Sequence, residues 1–145
     1  MAAAASDDCV FCDIIAGIVP ASIVYADDDH VAFLDRRPLF EGHTLLVPRE
    51  HVVTLADLPP AKVGPFFTVA QRLSVAIPHA MDAVGSFVAI NNVVSQSVAH
   101  LHCHVVPRNF KDGLRGFFWP RTKYADDTAR DAVAEKIAKV LAGDG

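Results

Sequence analysis

The spacing of apolar residues changes along the chain, and these changes predict the order of its secondary-structure elements. Short apolar runs, partly β-branched and bounded by turn residues, predict five strands. These strands are expected at Ser22–Ala26, His30–Asp35, His43–Val47, Gly85–Asn91 and Leu101–Val106. A helical spacing predicts one long helix from Pro59 to about Ala80, although Pro65 leaves open a later start. Shorter helices are expected at Phe11–Gly17 and Asp127–Leu141.

Three strands, a long helix, two strands and a final helix are an order typical of the α+β class. We predict a five-stranded antiparallel sheet with one long central helix and a C-terminal helix, the helices lying on one face. Asp57 is expected to cap the long helix. A chain of 145 residues suits one domain. We assign residues 9–145 to it and expect residues 1–8 to be disordered.

Composition and charge narrow the class of protein. A hydrophobic content of 52% and a charged content of 21% are typical of a soluble globular chain. The net charge of -4 disfavours a broad surface for nucleic acid or anionic membrane, but it allows one bound nucleotide. The first residues do not resemble a secretory signal, and no apolar run has the length of a membrane helix. Together with an odd number of cysteines, this predicts a cytoplasmic protein without a disulfide framework.

Three histidines occupy alternate positions of the last predicted strand, at His100, His102 and His104. On a strand they point to one face, about 7 Å apart, while the residues between them point into the core. Such imidazoles can bind a metal ion, or one can attack a substrate while its neighbours orient it. The preceding loop, residues 91–97, is rich in neutral hydrogen-bond donors. Those donors suit phosphate oxygens, so they favour nucleophilic catalysis.

Cys9 and Cys12 form a C-x-x-C pair near the start of the chain. Taken alone, this spacing is compatible with a redox pair, half of a zinc site or two buried thiols.

Residues 96–108, QSVAHLHCHVVPR, resemble the signature of the histidine triad family. Residues 9–17 (CVFCDIIAG), 33–35 (FLD) and 42–51 (GHTLLVPREH) resemble bacterial members of that family in order and approximate spacing. The resemblance covers residues 9–108, and within the family it is to the zinc-binding type of nucleotide hydrolase.

The resemblance implies a nucleotide hydrolase that forms a covalent nucleotidyl-histidine intermediate. Its substrate would be a nucleoside phosphoramidate, an acyl-nucleotide or a dinucleoside polyphosphate, cleaved at the α-phosphorus. His102 would attack the phosphorus, assisted by His100, His104 and Ser97. The residues expected to contact the nucleotide are Asp35, Phe33, Phe11, Ile14, Asn91 and Gln96, with Asp35 binding the ribose. From the residues alone, Asp35 is also compatible with a solvated strand end or with an ion pair to Arg36 or Arg37.

The resemblance also implies a structural zinc ion bound by Cys9, Cys12, His51 and His100. It implies a homodimer in which two sheets join, with a purine nucleotide as substrate and no nucleic-acid or membrane partner. Two alternatives stay open. One is a nucleotide-binding regulatory or scaffold protein with little turnover, and the other is a zinc hydrolase that uses the triad as catalytic ligands.

Two segments carry no prediction from the family pattern. Residues 93–95, Val-Val-Ser, lack the glycine usual in related sequences, so the approach of the backbone to a phosphate is not predicted. Residues 111–121 contain two arginines and three aromatic residues. They are equally compatible with contacts to the leaving group and with packing across a dimer interface.

Overall fold

The structure is a computed structural model that describes residues 8–115 and 121–143. The predicted disordered segment, apart from Asp8, and residues 116–120 therefore lie outside the described residues. Contacts within the chain define two compact units, Met1–Asp112 and Gly113–Gly145. The assignment of residues 9–145 to a single domain stays a prediction.

The first unit contains a five-stranded antiparallel sheet. The strand order is β1-β2-β3-β5-β4, and every neighbouring pair is antiparallel. The strands are β1 (Ile23–Ala26), β2 (His30–Leu34), β3 (Thr44–Pro48), β4 (Gly85–Ile90) and β5 (Cys103–Arg108). The helices of this unit are α1 (Val10–Ile15) and α2 (Pro60–Met81). The predicted fold class and all five strands are confirmed, with shifts of one or two residues at the strand ends.

Helix α2 covers one face of the sheet. Its apolar side packs with the residues of β2, β3 and β5 that point towards it, because side chains alternate along each strand. The buried residues of this cluster on the helix are Phe66, Val69, Ala70, Leu73 and Ile77, and on the three strands they are Ala32, Leu46, Cys103 and Val105. The helix begins at Pro60 and continues through Pro65. Asp57 does not cap it, since its carboxylate accepts hydrogen bonds from Thr54 in a separate short turn.

Helix α1 covers the opposite face, so the prediction that the helices share one face is wrong. Its buried residues pack with the alternate residues of β2 and β3. This second cluster consists of Cys9, Phe11, Cys12, Ile14, Val31, Phe33, Leu45 and Val47. A short N-terminal helix followed by strands carries no sequence signal for which face it covers. The position of α1 matters because the candidate site lies beneath it.

The second unit contains helix α3 (Asp127–Gly143), which confirms the predicted C-terminal helix. Its N-terminus is stabilised by Asp126, whose Oδ1 accepts a hydrogen bond from the backbone N–H of Ala129 at 2.8 Å. Among the described residues, no helix combines the length and apolar character needed to cross a membrane.

Candidate active site and metal-binding cluster

The histidine segment joins the sheet later than its sequence predicts. Strand β5 begins at Cys103, so His100 and His102 precede it and only His104 lies on it. The preceding backbone is engaged elsewhere, because Leu101 N–H donates to the carbonyl oxygen of Val52 at 2.8 Å. His104 lies opposite Leu45 in the β3–β5 register and therefore points to the α1 face.

His102 donates a hydrogen bond from Nδ1 to the backbone carbonyl oxygen of His100 at 2.7 Å. A carbonyl oxygen only accepts, so this contact assigns the proton of the neutral imidazole to Nδ1. The lone pair then lies on Nε2. His102 is 3% exposed and lines a cavity beneath α1, where its ring contacts the edge of Phe11.

A chain of hydrogen bonds orients His104. The backbone N–H of Leu39 donates to His43 Nδ1 at 3.0 Å, so the proton of neutral His43 lies on Nε2. That Nε2 lies 2.9 Å from His104 Nδ1 and 3.7 Å from Asp35 Oδ2. His43 therefore donates to His104 Nδ1, and the proton of neutral His104 lies on its Nε2. This arrangement leaves His104 as a hydrogen-bond donor on the ring edge that faces away from His43.

The pKa values of His43 and His104 are both lowered, which favours the neutral form of each imidazole. Burial, together with the neighbouring His102 and His43, lowers the pKa of His104 to about 4. Burial also lowers the pKa of His43, although Asp35 opposes this shift. Ligand atoms of Asp35, His43 and His104 lie within 4.8 Å of one another. Because His43 and His104 already share a proton, we interpret this group as a hydrogen-bonded chain rather than a metal site.

The cavity beneath α1 has a volume of about 180 Å³. Its walls combine apolar side chains from α1, β2 and β3 with the two imidazoles and a few polar groups. The lining residues are Val10, Phe11, Ile14, Ala21, Phe33, Leu34, Asp35, Arg36, Leu45, Ser97, Val98, His102 and His104. A concave, mostly apolar site with a few polar groups at one end is typical of a small-molecule site.

The cavity brings together seven of the predicted catalytic and nucleotide-binding residues, including Ser97 and Asp35. His100, Asn91 and Gln96 do not line it. The amide of Gln96 instead stabilises its own loop, accepting from Val93 N–H at 3.0 Å and donating to the carbonyl oxygen of Val53 at 2.6 Å.

Asp35 forms no ion pair with an arginine among the described residues. Its Oδ1 accepts the backbone N–H of Arg37 at 2.9 Å. Arg36 lines the cavity, a position that the sequence analysis did not predict. The only available signal was its position directly after Asp35 at the end of a strand.

The loop that leads into the histidine segment has an unusual backbone. Val93 and Ser95 adopt φ values of 69° and 63°, in the left-handed region that favours glycine. Neither residue is a glycine, so side chains are carried through a conformation that glycine adopts without strain. The strain is greatest at Val93, whose side chain is β-branched.

Cys9, Cys12, His51 and His100 form a second cluster, which we call the thiol–imidazole cluster. Their ligand atoms lie within 4.8 Å of one another. Sγ of Cys12 lies 3.2 Å from His51 Nδ1 and 3.6 Å from His100 Nδ1, and Sγ of Cys9 lies 3.5 Å from His100 Nδ1. A tetrahedral zinc ion would separate such ligand atoms by roughly 3.3–3.8 Å. The four residues therefore fit a closed tetrahedral metal site.

His100 presents its lone pair to this cluster. It is completely buried, and its Nε2 donates to the carbonyl oxygen of Pro48 at 2.8 Å. The lone pair of the neutral ring thus lies on Nδ1, beside both thiols. Burial lowers the pKa of His100 to about 4, which favours the neutral form that a metal ligand requires. Of the three alternating imidazoles, only His102 and His104 line the cavity, whereas His100 belongs to the thiol–imidazole cluster.

Comparisons with known proteins identify relatives that match most of the chain. An uncharacterized HIT-like protein of Mycobacterium tuberculosis is 41% identical over 139 residues, which cover 92% of this chain and 93% of the relative. The adenosine 5'-monophosphoramidase of Saccharomyces cerevisiae is 31% identical over 137 residues, covering 94% of this chain and 85% of that enzyme. The crystal structure of a Zn-bound histidine triad family protein from Mycobacterium smegmatis superposes with a TM-score of 0.72 at 37% identity, covering 92% and 99% of the two chains.

The pattern that defines the HIT domain matches residues 16–111, a range that contains both imidazoles of the cavity. That match covers most of the chain, and it ends just after β5. The chain therefore belongs to the HIT, or histidine triad, family.

Proposed function

We propose that this protein is a nucleotide hydrolase that cleaves the bond between the α-phosphorus of a nucleotide and its leaving group. The substrate class is a nucleoside phosphoramidate, an acyl-nucleotide or a dinucleoside polyphosphate. The observation that carries the proposal is the 2.7 Å hydrogen bond from His102 Nδ1 to the carbonyl oxygen of His100. It directs a neutral, nucleophilic Nε2 away from the backbone in a cavity suited to a small molecule.

In the first step, the lone pair of His102 Nε2 attacks the α-phosphorus. A phosphorus–nitrogen bond forms, and the bond to the leaving group breaks with its electron pair on the leaving group. The leaving group takes a proton from water or from the hydroxyl of Ser97, which lines the same cavity. The attacking imidazole becomes positively charged, so its Nδ1–H bond to the His100 carbonyl strengthens.

In the second step, water attacks the phosphorus and displaces the imidazole, releasing a nucleoside monophosphate and one proton. His104 assists both steps, because the proton on its Nε2 can be donated to a phosphate oxygen that gains charge. His43 keeps that proton in place through its bond to His104 Nδ1.

The rest of the cavity suits the nucleotide. Asp35 would accept hydrogen bonds from the ribose, and the base would lie among Phe11, Ile14 and Phe33. The relative from Saccharomyces cerevisiae named as an adenosine 5'-monophosphoramidase supports a purine nucleotide. Asn91 and Gln96 do not line the cavity, so we assign them no contact with the part of the substrate that lies inside it.

The thiol–imidazole cluster would hold a structural zinc ion, and its closed ligand set supplies a cross-link rather than a position for substrate. The ion would tie α1 to the segment that carries His102. The Zn-bound relative from Mycobacterium smegmatis supports this identity of the metal. The three cysteines are buried and form no disulfide within the described residues, which suits a reducing cytoplasmic location.

The proposal includes a homodimer in which two sheets join. Strand β4 is at the edge of the sheet, and Val88 on it is 42% exposed. An edge strand can pair with its copy in a second chain.

The direct test compares His102→Ala with wild-type protein on adenosine 5'-phosphoramidate. We expect turnover to fall by on the order of a thousandfold or more, with binding of adenosine 5'-monophosphate nearly unchanged. His79→Ala is the matched control, because His79 is exposed on α2 and remote from the cavity lining. Unchanged turnover in His102→Ala would refute the mechanism. Tight nucleotide binding without turnover in wild-type protein would instead favour the scaffold alternative.

A further inference from the structure

A second cleft adjoins the cavity beneath α1 on the side of Asp35. It has a volume of about 420 Å³, and we call it the ribose-side cleft. Its lining residues are Pro20, Ala21, Ser22, Leu34, Asp35 and Arg36. Four of these residues also line the cavity, so the two spaces lie side by side there. Neither His102 nor His104 lines the ribose-side cleft. The cleft therefore lies next to Asp35, the residue proposed to bind the ribose, and not next to the phosphorus that His102 would attack.

Arg36 brings an uncompensated positive charge to this cleft. Within residues 8–115 and 121–143, its guanidinium has no hydrogen bond and no ion pair, and the side chain is exposed. Two other arginines of the same unit do have partners for their guanidinium groups. Arg72 donates to the hydroxyl of Tyr25, and Arg49 donates to the carbonyl oxygen of Asp27. Arg36 therefore differs from them in presenting five N–H donors to a cavity rather than to the protein.

The position of Arg36 beside the carboxylate of Asp35 affects which ligands the cleft can accept. Asp35 repels any anionic group that approaches the ribose hydroxyls, unless a positive charge lies beside it. Arg36 follows Asp35 directly and lines both spaces with it. Ser22, on the other side of the cleft, adds a hydroxyl that has no partner among the described residues. The set of one cation and one hydroxyl donor suits a phosphate group.

We propose that Arg36 forms a subsite for a phosphate on the 2'- or 3'-hydroxyl of the ribose, so that this protein prefers nucleotides carrying a second phosphate there. The inference rests on the proposed function, in which Asp35 binds the ribose. One ribose hydroxyl donates to Asp35, while the other, as a phosphate ester, extends into the ribose-side cleft towards Arg36. The apolar residues Phe11, Ile14 and Phe33 line the cavity but not the ribose-side cleft, so we assign the base to the cavity and the added phosphate to the cleft.

The test measures dissociation constants by titration calorimetry for three probes. These are adenosine 5'-monophosphate, adenosine 2',5'-bisphosphate and adenosine 3',5'-bisphosphate. The full chain is compared with Arg36→Ala and Arg37→Ala. Arg37 is the matched control, because it is the adjacent arginine, is also exposed and lines neither space. The two bisphosphates distinguish which ribose position the subsite accepts.

We expect one bisphosphate to bind wild-type protein about tenfold more tightly than the monophosphate, as a charge-assisted contact at an exposed site allows. In Arg36→Ala, that preference disappears, while Arg37→Ala retains it. Thermal unfolding should be the same in all three proteins, because neither guanidinium has a partner to lose.

The inference is overturned if neither bisphosphate binds wild-type protein more tightly than the monophosphate, or if the preference survives in Arg36→Ala. It is also overturned if Arg36→Ala weakens all three probes equally, because the arginine would then contact the base or the 5'-phosphate. These outcomes leave the proposed hydrolase intact as long as adenosine 5'-phosphoramidate is turned over. Absence of both turnover and nucleotide binding in wild-type protein would refute the proposed function and this subsite together.

Discussion

His100 and His102 are two residues apart, yet they use opposite ring nitrogens. His100 donates from Nε2 to the carbonyl oxygen of Pro48 and presents the Nδ1 lone pair to the thiols. His102 donates from Nδ1 to the carbonyl oxygen of His100 and retains its lone pair on Nε2, at the cavity. In the proposed function, the same type of side chain acts as a metal ligand at His100 and as a nucleophile at His102, according to which ring nitrogen donates to a backbone carbonyl. This comparison predicts that substitutions in the thiol–imidazole cluster reduce stability and metal content, whereas substitutions around the cavity reduce turnover.

The largest effect is expected when the thiol–imidazole cluster loses a ligand. Cys12→Ser removes one of the four proposed zinc ligands, so a bound zinc ion would no longer stabilise the fold. If free zinc exceeds the dissociation constant a thousandfold, the loss is about 4 kcal/mol of unfolding free energy. Denaturant unfolding with and without zinc, together with metal analysis, measures it.

Cys103→Ala is the control for that variant, because Cys103 lies in the opposite cluster under α2 and burial raises the pKa of its thiol to about 11. It should retain the full metal content. Wild-type metal content and stability in Cys12→Ser would contradict the role of the thiol–imidazole cluster as a stabilising metal site.

The next effect is expected at the cavity. His43→Ala removes the donor to His104 Nδ1, so the proton of His104 is no longer fixed on Nε2. We expect kcat to fall by on the order of 10- to 100-fold, with KM and metal content little changed.

His30→Asn is the matched control for His43→Ala. His30 is also buried and hydrogen-bonded, but its partner is Asp27 and it does not line the cavity. This variant should lose stability without losing kcat per folded molecule. Equal losses of kcat in the two variants would contradict the role assigned to His43.

A smaller effect concerns stability against pH. The pKa of His104 is about 4 in the folded chain, against 6.5 for an unperturbed histidine, because burial disfavours its charged form. Between these values the unfolded chain binds the proton and the folded chain does not, so stability falls as pH falls from about 6.5 to 4. The slope should be shallower in His104→Asn, measured by denaturant unfolding in chelator so that metal loss does not contribute. Equal slopes in both proteins would refute the pKa shift.

The smallest effect should be confined to the loop that precedes both histidines. Val93→Gly relieves a left-handed conformation at a β-branched residue, so we expect a gain of up to about 1 kcal/mol. Val94→Gly is the control, since the φ of Val94 is not positive and the same change should cost about 0.5–1 kcal/mol. Thermal unfolding that shifts equally in both variants would contradict strain at Val93.

The sequence was sufficient for the elements and the family, because both depend on local patterns. The period of apolar residues located all five strands within two residues, and the alternation around Cys103 correctly placed it in the core. The orientation of His100 was beyond local patterns. It depends on Pro48 and on the cysteine pair, which lie far from it along the chain.

The same reason explains the remaining differences. Strand β5 begins late because the backbone of Leu101 bonds to Val52 instead of to β3. Gln96 has the residue type expected of a phosphate donor, but backbone groups of Val53 and Val93 already occupy its amide. Such partners become visible only when distant segments meet.

The most direct measurement of the central claim is covalent trapping on His102. Wild-type protein, His102→Ala and His79→Ala are each mixed with adenosine 5'-phosphoramidate that carries a label in its nucleotide part. The proteins are then denatured in alkali, where a phosphorus–nitrogen bond to histidine persists. We expect label on the peptide that contains His102 in wild-type and His79→Ala protein, and release of that label by acid. Label retained by His102→Ala, or full turnover with no labelled intermediate under rapid quenching, would contradict it.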